Sequence, residues 1–348
     1  MEDPETPTRK RQQTTDPELT PRPQHETSND PIKAPSLSSS NGSGRSRSTS
    51  PLKRQFLELR LDEAGTETKA LSVDALEALP NPDAASLLRI MRRVGTCKGI
   101  LPDDRREDIL QSHKIEGSDL EDWDSAFKGS SAFAGLPGRI PSPGEVDLVR
   151  EWTTDCIEFK HEGAGWNDEV HFRLLEAIFR EPGKKKGGGL FSIKTSHADF
   201  QPLQMRPIVL SMETKAENQN LDAAELQIGV WHTAQWAFLR SSLLSVKRGA
   251  SAGRLSTAQE AEQADEALSR LPFIPAVIVQ GHRWLFVLST RQGHKTILWK
   301  EWQFGSTSTV VETYQTVAGL RQLAAWAEKV YLPWFQEEVL AVYKPGTA

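Results

Sequence analysis

An α/β (α+β) domain is the fold class that the sequence predicts, because two hydrophobic periods alternate along the chain. Apolar residues recur at every third or fourth position in the first half, as they do on one face of a helix. Alternate residues are apolar in two later stretches, 190–195 and 206–215, as they are in strands. The second of these strands is predicted to lie centrally in a sheet, with Ile208, Leu210 and Met212 buried beneath a helix. A helical stretch, three strand signals and a long closing helix follow. This order indicates a mixed sheet flanked by helices, with extra C-terminal strands.

Three helices are predicted before the first strands. The first spans 83–94, where Pro82 and Asp83 provide start signals. The second spans 143–159, and the third begins at Asn167 or Asp168 and ends near residue 179. Residues 221–244 return to the helical period after the two strands.

The stripe of that later helix is predicted from four apolar residues. Ile228, Trp231, Ala234 and Phe238 recur at spacings of three and four, so we expect this face to be buried. The polar residues 246–271 that follow are predicted to form a flexible insert.

The C-terminal third predicts three strands and one helix. The strand signals lie at 276–280, 284–289 and 296–302. The closing helix is predicted over 311–342, with a kink or a break at Pro333, because proline removes a helical hydrogen bond.

The N-terminal tail differs in composition from the rest of the chain. Residues 1–55 hold eight of the 21 prolines, and Ser, Thr and charged residues dominate. Such a segment buries too little apolar surface to offset its ordering entropy, so we predict that it is disordered. The folded domain is expected over 71–342.

Composition excludes several classes of protein. Lys and Arg number 42 against 47 Asp and Glu, a net charge of −5, which excludes a globally basic nucleic-acid binder. Two cysteines exclude a disulfide scaffold and a cysteine-rich zinc site. His171, His197 and His232 lack the spacing of zinc ligands.

No membrane span is expected, because no apolar run is long enough. The start Met-Glu-Asp-Pro argues against secretion, so the nucleus or the cytoplasm is predicted.

Two charged residues at the end of the second predicted strand suggest chemistry. Glu213 and Lys215 are two positions apart, so both side chains leave the same face of a strand. A carboxylate that holds Mg²⁺ and an ammonium that positions water are the groups that metal-assisted phosphodiester hydrolysis uses. The alternative is a solvated charge pair on a strand, which is common.

A glutamine on the following helix shares the predicted apolar stripe. Gln227 lies one turn before Trp231, so its amide is expected to face the packed side and to need a partner there. A carboxylate or lysine of the neighbouring strand is the natural candidate.

Several runs of sequence share a pattern with a known family. The runs are Gly165-Trp-Asn-Asp-Glu-Val-His171, Thr195-Ser-His-Ala-Asp-Phe-Gln-Pro-Leu203, Arg206-Pro-Ile-Val-Leu-Ser-Met-Glu-Thr-Lys215, Gln227-Ile-Gly-Val-Trp-His-Thr-Ala-Gln-Trp236 and Val279-Gln-Gly-His-Arg-Trp284. From about residue 71 to residue 340 the chain resembles the fungal PD-(D/E)XK nuclease-like domain family of the restriction-endonuclease-like superfamily. The resemblance implies a mixed sheet of about four strands flanked by helices, Mg²⁺ as a cofactor and nucleic acid as a candidate partner.

The resemblance also implies roles for individual residues. Glu213 and Lys215 match the E-x-K motif, and Gln227 matches the polar position on the helix after it. The acid of the first core helix corresponds to Glu162 or to Glu169, and an exposed helix charge is the equal alternative for Glu169.

One element of the family pattern is missing from the sequence. The family places a metal-binding Asp on the strand before the E-x-K strand, but here about ten Gly- and Lys-rich residues separate Phe179 from residue 190. Asp199 aligns with a loop Asp of the family and is the remaining candidate, with Glu213, for binding metal. Loss of one carboxylate should weaken Mg²⁺ binding greatly.

Three functions are considered, of which the first two follow from these observations and the third has no residue that speaks for it directly. The first is a degenerate nuclease-like domain with weak or no cleavage, which acts as a binding or interaction module for an unidentified partner. The second is an active Mg²⁺-dependent nuclease of DNA or RNA, and the third is an accessory protein of a fungal metabolic pathway. The acidic domain and the missing Asp favour the first, and the Glu-x-Lys pair favours the second.

Overall fold

A five-stranded mixed sheet forms the centre of the computed structural model, which describes residues 51–79, 82–180, 207–251 and 253–340. The strand order is β1-β7-β6-β5-β4, and a separate two-stranded sheet joins β2 to β3. The strands are β1 Thr66–Lys69, β2 Leu101–Pro102, β3 Phe127–Lys128, β4 Ser211–Lys215, β5 Ile274–Gln280, β6 Arg283–Gln292 and β7 Lys295–Ser306. The predicted mixed α/β class, with its C-terminal strands and closing helix, is confirmed.

Helices surround this sheet. They are α1 Pro51–Leu61, α2 Val73–Glu77, α3 Asp83–Val94, α4 Arg106–Ser112, α5 Asp119–Asp124, α6 Pro143–Glu158, α7 Gly163–Gly165, α8 Phe172–Phe179, α9 Leu221–Ser251, α10 Thr257–Ser269, α11 Val310–Trp326 and α12 Leu332–Trp334. A wider π-helical turn, Trp166–His171, joins α7 to α8. The helix predicted over 83–94 is confirmed, and those at 143 and 167 agree to within a few residues.

The middle of the sheet is covered on both faces. Every residue of β5 is buried, which is typical of a strand between two layers of helices. One face, with Ile278 and Val287, packs against Ala224 and Ile228 of α9. The other face belongs to the main core, together with residues of α3, α6 and α11.

β4 lies at one end of the described sheet. It pairs in parallel with β5, from Ser211 opposite Ala276 to Lys215 opposite Gln280. We expected a central strand, but no second neighbour pairs with it among the described residues. Ile208 and Leu210, which precede it, are buried as predicted, whereas Met212 is half-buried. The strand predicted at 190–195 lies outside the described residues.

The prediction of a flexible insert over 246–271 is wrong. α9 continues to Ser251, and α10 fills most of the remainder. Ser256 caps α10 by accepting a hydrogen bond from the backbone N–H of Gln259. Ala264, Ala267 and Leu268 are buried in the main core. Two of these are alanines, whose small side chains give a weak hydrophobic signal.

The prediction that one apolar stripe of α9 is buried is also wrong for three of its four residues. Ile228 is buried, but Trp231 and Phe238 are more than one third exposed. The buried side includes His232 and Trp236, whose ring nitrogens lie 2.7 Å and 3.0 Å from the Ser289 hydroxyl. The buried side of this helix therefore combines apolar residues, such as Leu239 and Leu243, with polar groups that bond to a serine of β6.

The domain begins earlier in the chain than predicted. β1 precedes residue 71 and pairs in parallel with β7, Thr66 opposite Thr296. α1 begins at Pro51, so residues 51–55 of the predicted disordered tail are helical. The rest of that tail, residues 1–50, lies outside the described residues.

The closing helix passes Pro333 without a break. A π-helical turn, Ala327–Tyr331, precedes α12, and a second one, Phe335–Val339, follows it. Pro333 lies in α12, directly after the first of these wider turns. No helix of the described residues is long and apolar enough to cross a membrane.

The packing of β4 gives a test of its orientation. Met212 is half-buried against the main core, so Met212→Asp should lower the free energy of unfolding by at least about 2 kcal/mol, because it places a carboxylate there. Chemical denaturation measures this value. Met212→Leu, which conserves volume, is the control and should cost less than about 1.5 kcal/mol. Equal stability of the two variants would show that Met212 does not pack against the core.

Candidate functional site

The Glu-x-Lys pair forms an ion pair on β4. Lys215 Nζ lies 3.1 Å from Glu213 Oε1, and the two side chains are 18% and 25% exposed. Glu213 is opposite Ile278 in the parallel register, so it points to the sheet face that α9 covers. The prediction that both side chains leave the same face is confirmed.

The end of β4 is tied to the preceding helical segment through the turn between β5 and β6. The backbone N–H of Gly281 donates to Lys215 O at 2.8 Å. His171 Nε2 lies 2.8 Å from Gly281 O, so this nitrogen carries the donated proton. Two hydrogen bonds therefore connect His171 to the backbone of Lys215.

His171 is buried and held by aromatic rings. Trp166 stacks on the imidazole at 5.9 Å, and Trp284 approaches edge-on at 5.6 Å between ring centroids. The Asn167 side chain lies 3.1 Å from Nδ1. Burial lowers the pKa of His171 to about 4, against the weaker raising effect of the Gly281 carbonyl. The imidazole is therefore neutral at pH 7, and it acts as a structural link.

Gly281 is required by its geometry. Its φ is +55°, and a Cβ at this position would lie 2.9 Å from Glu217 Cβ. A side chain would thus meet both backbone strain and a steric contact beside the Glu-x-Lys strand.

Two residues beside the pair were missed by the sequence reasoning. His282 Nδ1 lies 3.5 Å from Glu217 Oε1, and both side chains are partly exposed. Glu217 continues the two-residue spacing of Glu213 and Lys215, which was a usable signal. The position of His282 follows from the β5–β6 turn, which sequence spacing alone does not place.

The expected buried amide is a different glutamine. Gln227 is exposed, which contradicts the prediction that it faces the packed side. The buried amide of α9 is Gln235, whose Nε2 donates to Ile208 O at 2.9 Å. The predicted stripe lies on a different side of α9 from the observed buried side. For this reason Gln227 was assigned to the packed face and Gln235 was not.

The two candidate acids of the first core helix lie in different surroundings. Glu162 is exposed and precedes α7 without a side-chain capping bond. Glu169 is half-buried, and after desolvation its charge contributes to raising the pKa of Cys156 to about 11. Neither carboxylate forms an ion pair with Lys215 in the described part of the chain. Their catalytic roles remain predictions.

The described residues alone do not suit Mg²⁺. No group of three His, Cys, Asp or Glu side chains that could hold a metal ion occurs among them. Glu213 is already paired with a lysine, whereas Mg²⁺ relies on anionic oxygen ligands. Asp199 lies outside the described residues.

A substitution at Gly281 tests the connection between helix and strand. Gly281→Ala should destabilise the protein by at least about 1 kcal/mol more than Gly293→Ala, because only at Gly281 would the added Cβ collide with a neighbour, Glu217. Gly293 is the matched control because its φ is also positive, at +62°, but a Cβ added there would meet no atom within 4 Å. Chemical denaturation of both variants measures the difference. Equal losses would mean that contact with Glu217 is relieved without cost.

The pH dependence of stability tests the burial of His171. The unfolded chain takes up a proton near pH 6.5, whereas folded His171 does so only near pH 4. Between these values the unfolded state binds more protons, so the free energy of unfolding should fall by up to about 1.4 kcal/mol per pH unit as pH decreases.

Urea denaturation across this range measures the slope. His171→Gln should reduce it, and a smaller slope from His113, whose pKa burial also lowers, should remain. His294→Gln, at an exposed histidine, should leave it unchanged. An unchanged slope in His171→Gln would contradict the assignment.

Comparison with known proteins places this arrangement in a family. A family model described as the PD-(D/E)XK nuclease superfamily matches residues 109–193 and 184–332, which is more than half of the chain. No curated protein and no solved structure matches significantly. The matched range contains the Glu-x-Lys strand, the helical segment of His171 and the Gly281 turn. With a mixed sheet that carries Glu213 and Lys215 on one face, the chain belongs to the PD-(D/E)XK nuclease superfamily.

Proposed function

We propose that the domain is a nuclease-like binding module for nucleic acid, with little or no cleavage activity. The observation that carries this proposal is the ion pair between Glu213 and Lys215, at 3.1 Å. It neutralises the one carboxylate that the motif supplies, and no group of described residues adds the further acids that a metal ion needs.

The charge of the domain is consistent with weak, local contact to a phosphodiester. From residue 56 onward the chain has seven more acidic than basic residues. Such a surface does not attract a nucleic acid over long distances. Lys215, which is partly exposed, is the group that would contact a phosphate at this site.

An active Mg²⁺-dependent nuclease is the second candidate. It is favoured by the position of Glu213 and Lys215, which lie on one strand face as the motif requires. In that case Glu213 and Asp199 would hold the metal, and Glu162 or Glu169 would supply the acid of the first helix. The exposure of Gln227 weakens its predicted role in catalysis.

We also infer from the sequence runs that the chain belongs to the fungal branch of the family and acts in the nucleus or the cytoplasm.

Cleavage assays separate the two candidates. Purified full-length protein should cleave neither single- nor double-stranded DNA or RNA in Mg²⁺ or Mn²⁺ above the level of the Glu213→Gln variant. Mn²⁺ is included because its affinity for N and O ligands differs from that of Mg²⁺. Metal-dependent cleavage that Glu213→Gln and Lys215→Ala both abolish would establish the active nuclease and refute the proposal.

Binding is measured in the same samples by fluorescence anisotropy of a labelled oligonucleotide. Lys215→Ala should weaken binding by about threefold to tenfold, because it removes one charged contact. Lys98→Ala, at an exposed lysine on another surface, should have no effect. Identical affinity in the wild type and Lys215→Ala would place binding elsewhere on the molecule.

A further inference from the structure

A cavity of about 490 Å³ lies apart from the β4 strand and is lined by three arginines. Arg105 precedes α4, Arg139 lies in the segment before α6, and Arg321 lies on α11. The carboxylate of Asp104 and the hydroxyl-bearing residues Ser130 and Ser142 complete its polar lining. Three cations that converge from separate parts of the chain suggest recognition of an anion.

Arg321 is the unusual member of this set. It is only 6% exposed. Its Nε and Nη2 donate to the carbonyl oxygens of Pro137 and Leu136 at 3.0 Å and 3.1 Å. These bonds use two of its five N–H groups. Among the described residues, no carboxylate pairs with it.

The charge of Arg321 is therefore not compensated by a neighbouring side chain. Burial lowers its pKa, yet a guanidinium remains protonated at neutral pH. A buried charge without a counter-charge is costly, and neutral carbonyl oxygens offset only part of that cost. An anion in the adjacent cavity would supply the missing charge.

The other two arginines already have acidic partners. Arg105 pairs with Asp108 at 3.0 Å. Arg139 donates to both oxygens of the Glu145 carboxylate, from Nη1 and Nη2, and its Nε donates to Arg180 O at 3.4 Å. The uncompensated charge of the cavity thus belongs to Arg321, while Arg105 and Arg139 can offer their remaining N–H groups.

We infer that this cavity binds a small molecule through a phosphate group. A tetrahedral phosphate accepts hydrogen bonds from several directions, which matches donors on three separate segments better than a planar carboxylate does. The volume lies within the range of roughly 300–1,000 Å³ that is typical of small-molecule sites. The inference is independent of Glu213 and Lys215 and does not rest on the proposed function.

One acidic residue opposes this binding. Asp104 also lines the cavity, but it is exposed, so solvent and salt screen its charge. Its removal should strengthen the binding of an anion, which gives a test with the opposite sign to that of the arginine substitutions.

Phosphate-dependent stabilisation of the full chain tests the inference. Inorganic phosphate, compared with chloride at equal ionic strength, should raise the melting temperature of the wild type, because a ligand of the folded state stabilises it. The apparent affinity should be at least about tenfold weaker in Arg321→Gln, since a charged hydrogen bond is lost. Arg54→Gln, at an exposed arginine of α1, is the matched control and should match the wild type.

Two further variants keep the test informative if Arg321→Gln folds poorly. Arg105→Gln leaves the bonds of Arg321 to Leu136 and Pro137 in place and should also weaken the effect of phosphate. Asp104→Asn should strengthen it. An equal shift by acetate would overturn the assignment to phosphate. Absence of any phosphate-specific shift in the wild type would show that Arg321 only anchors the 136–137 segment, and would overturn the inference.

Discussion

The hydrogen bonds of Gly281 hold the candidate site together. Its N–H fixes the last residue of β4, and its carbonyl oxygen receives the His171 Nε2 proton, both at 2.8 Å. Neither bond involves a charged side chain, so their strength depends little on salt. Because His171 is buried between two tryptophans, the helical segment 166–171 cannot shift without exposing aromatic surface. The position of the Glu-x-Lys strand relative to the helices follows from this connection.

Sequence patterns predicted the fold better than the orientation of its helices. Alternation and helical spacing located β5, β6 and β7 and the longer helices α3, α6, α9 and α11, because strongly apolar side chains mark those elements. The same approach failed for α10, where two of the four buried residues are alanines and one is a glutamate. It also failed for α9, whose buried side carries Trp236, Leu239 and Leu243 and contacts Ser289, while Trp231 and Phe238 are more than one third exposed.

The candidate site was predictable only in part, for related reasons. Two-residue spacing on a strand correctly joined Glu213 to Lys215, since strand geometry is regular. Gln227 was placed on the wrong side because its assignment depended on the rotation of α9. The contact between Glu217 and His282 depends on a turn that brings distant segments together, and no local pattern encodes such a contact.

The pairing of β1 with β7 has a consequence for the way in which the protein folds. Thr66 is opposite Thr296, so some 230 residues separate two neighbouring positions of one sheet. During synthesis β1 leaves the ribosome long before β7 is made. Until then, the backbone groups of β1 bond to water instead of to a neighbouring strand. Closing so large a loop is slow, and this edge of the sheet should therefore assemble after the local β5–β6–β7 meander.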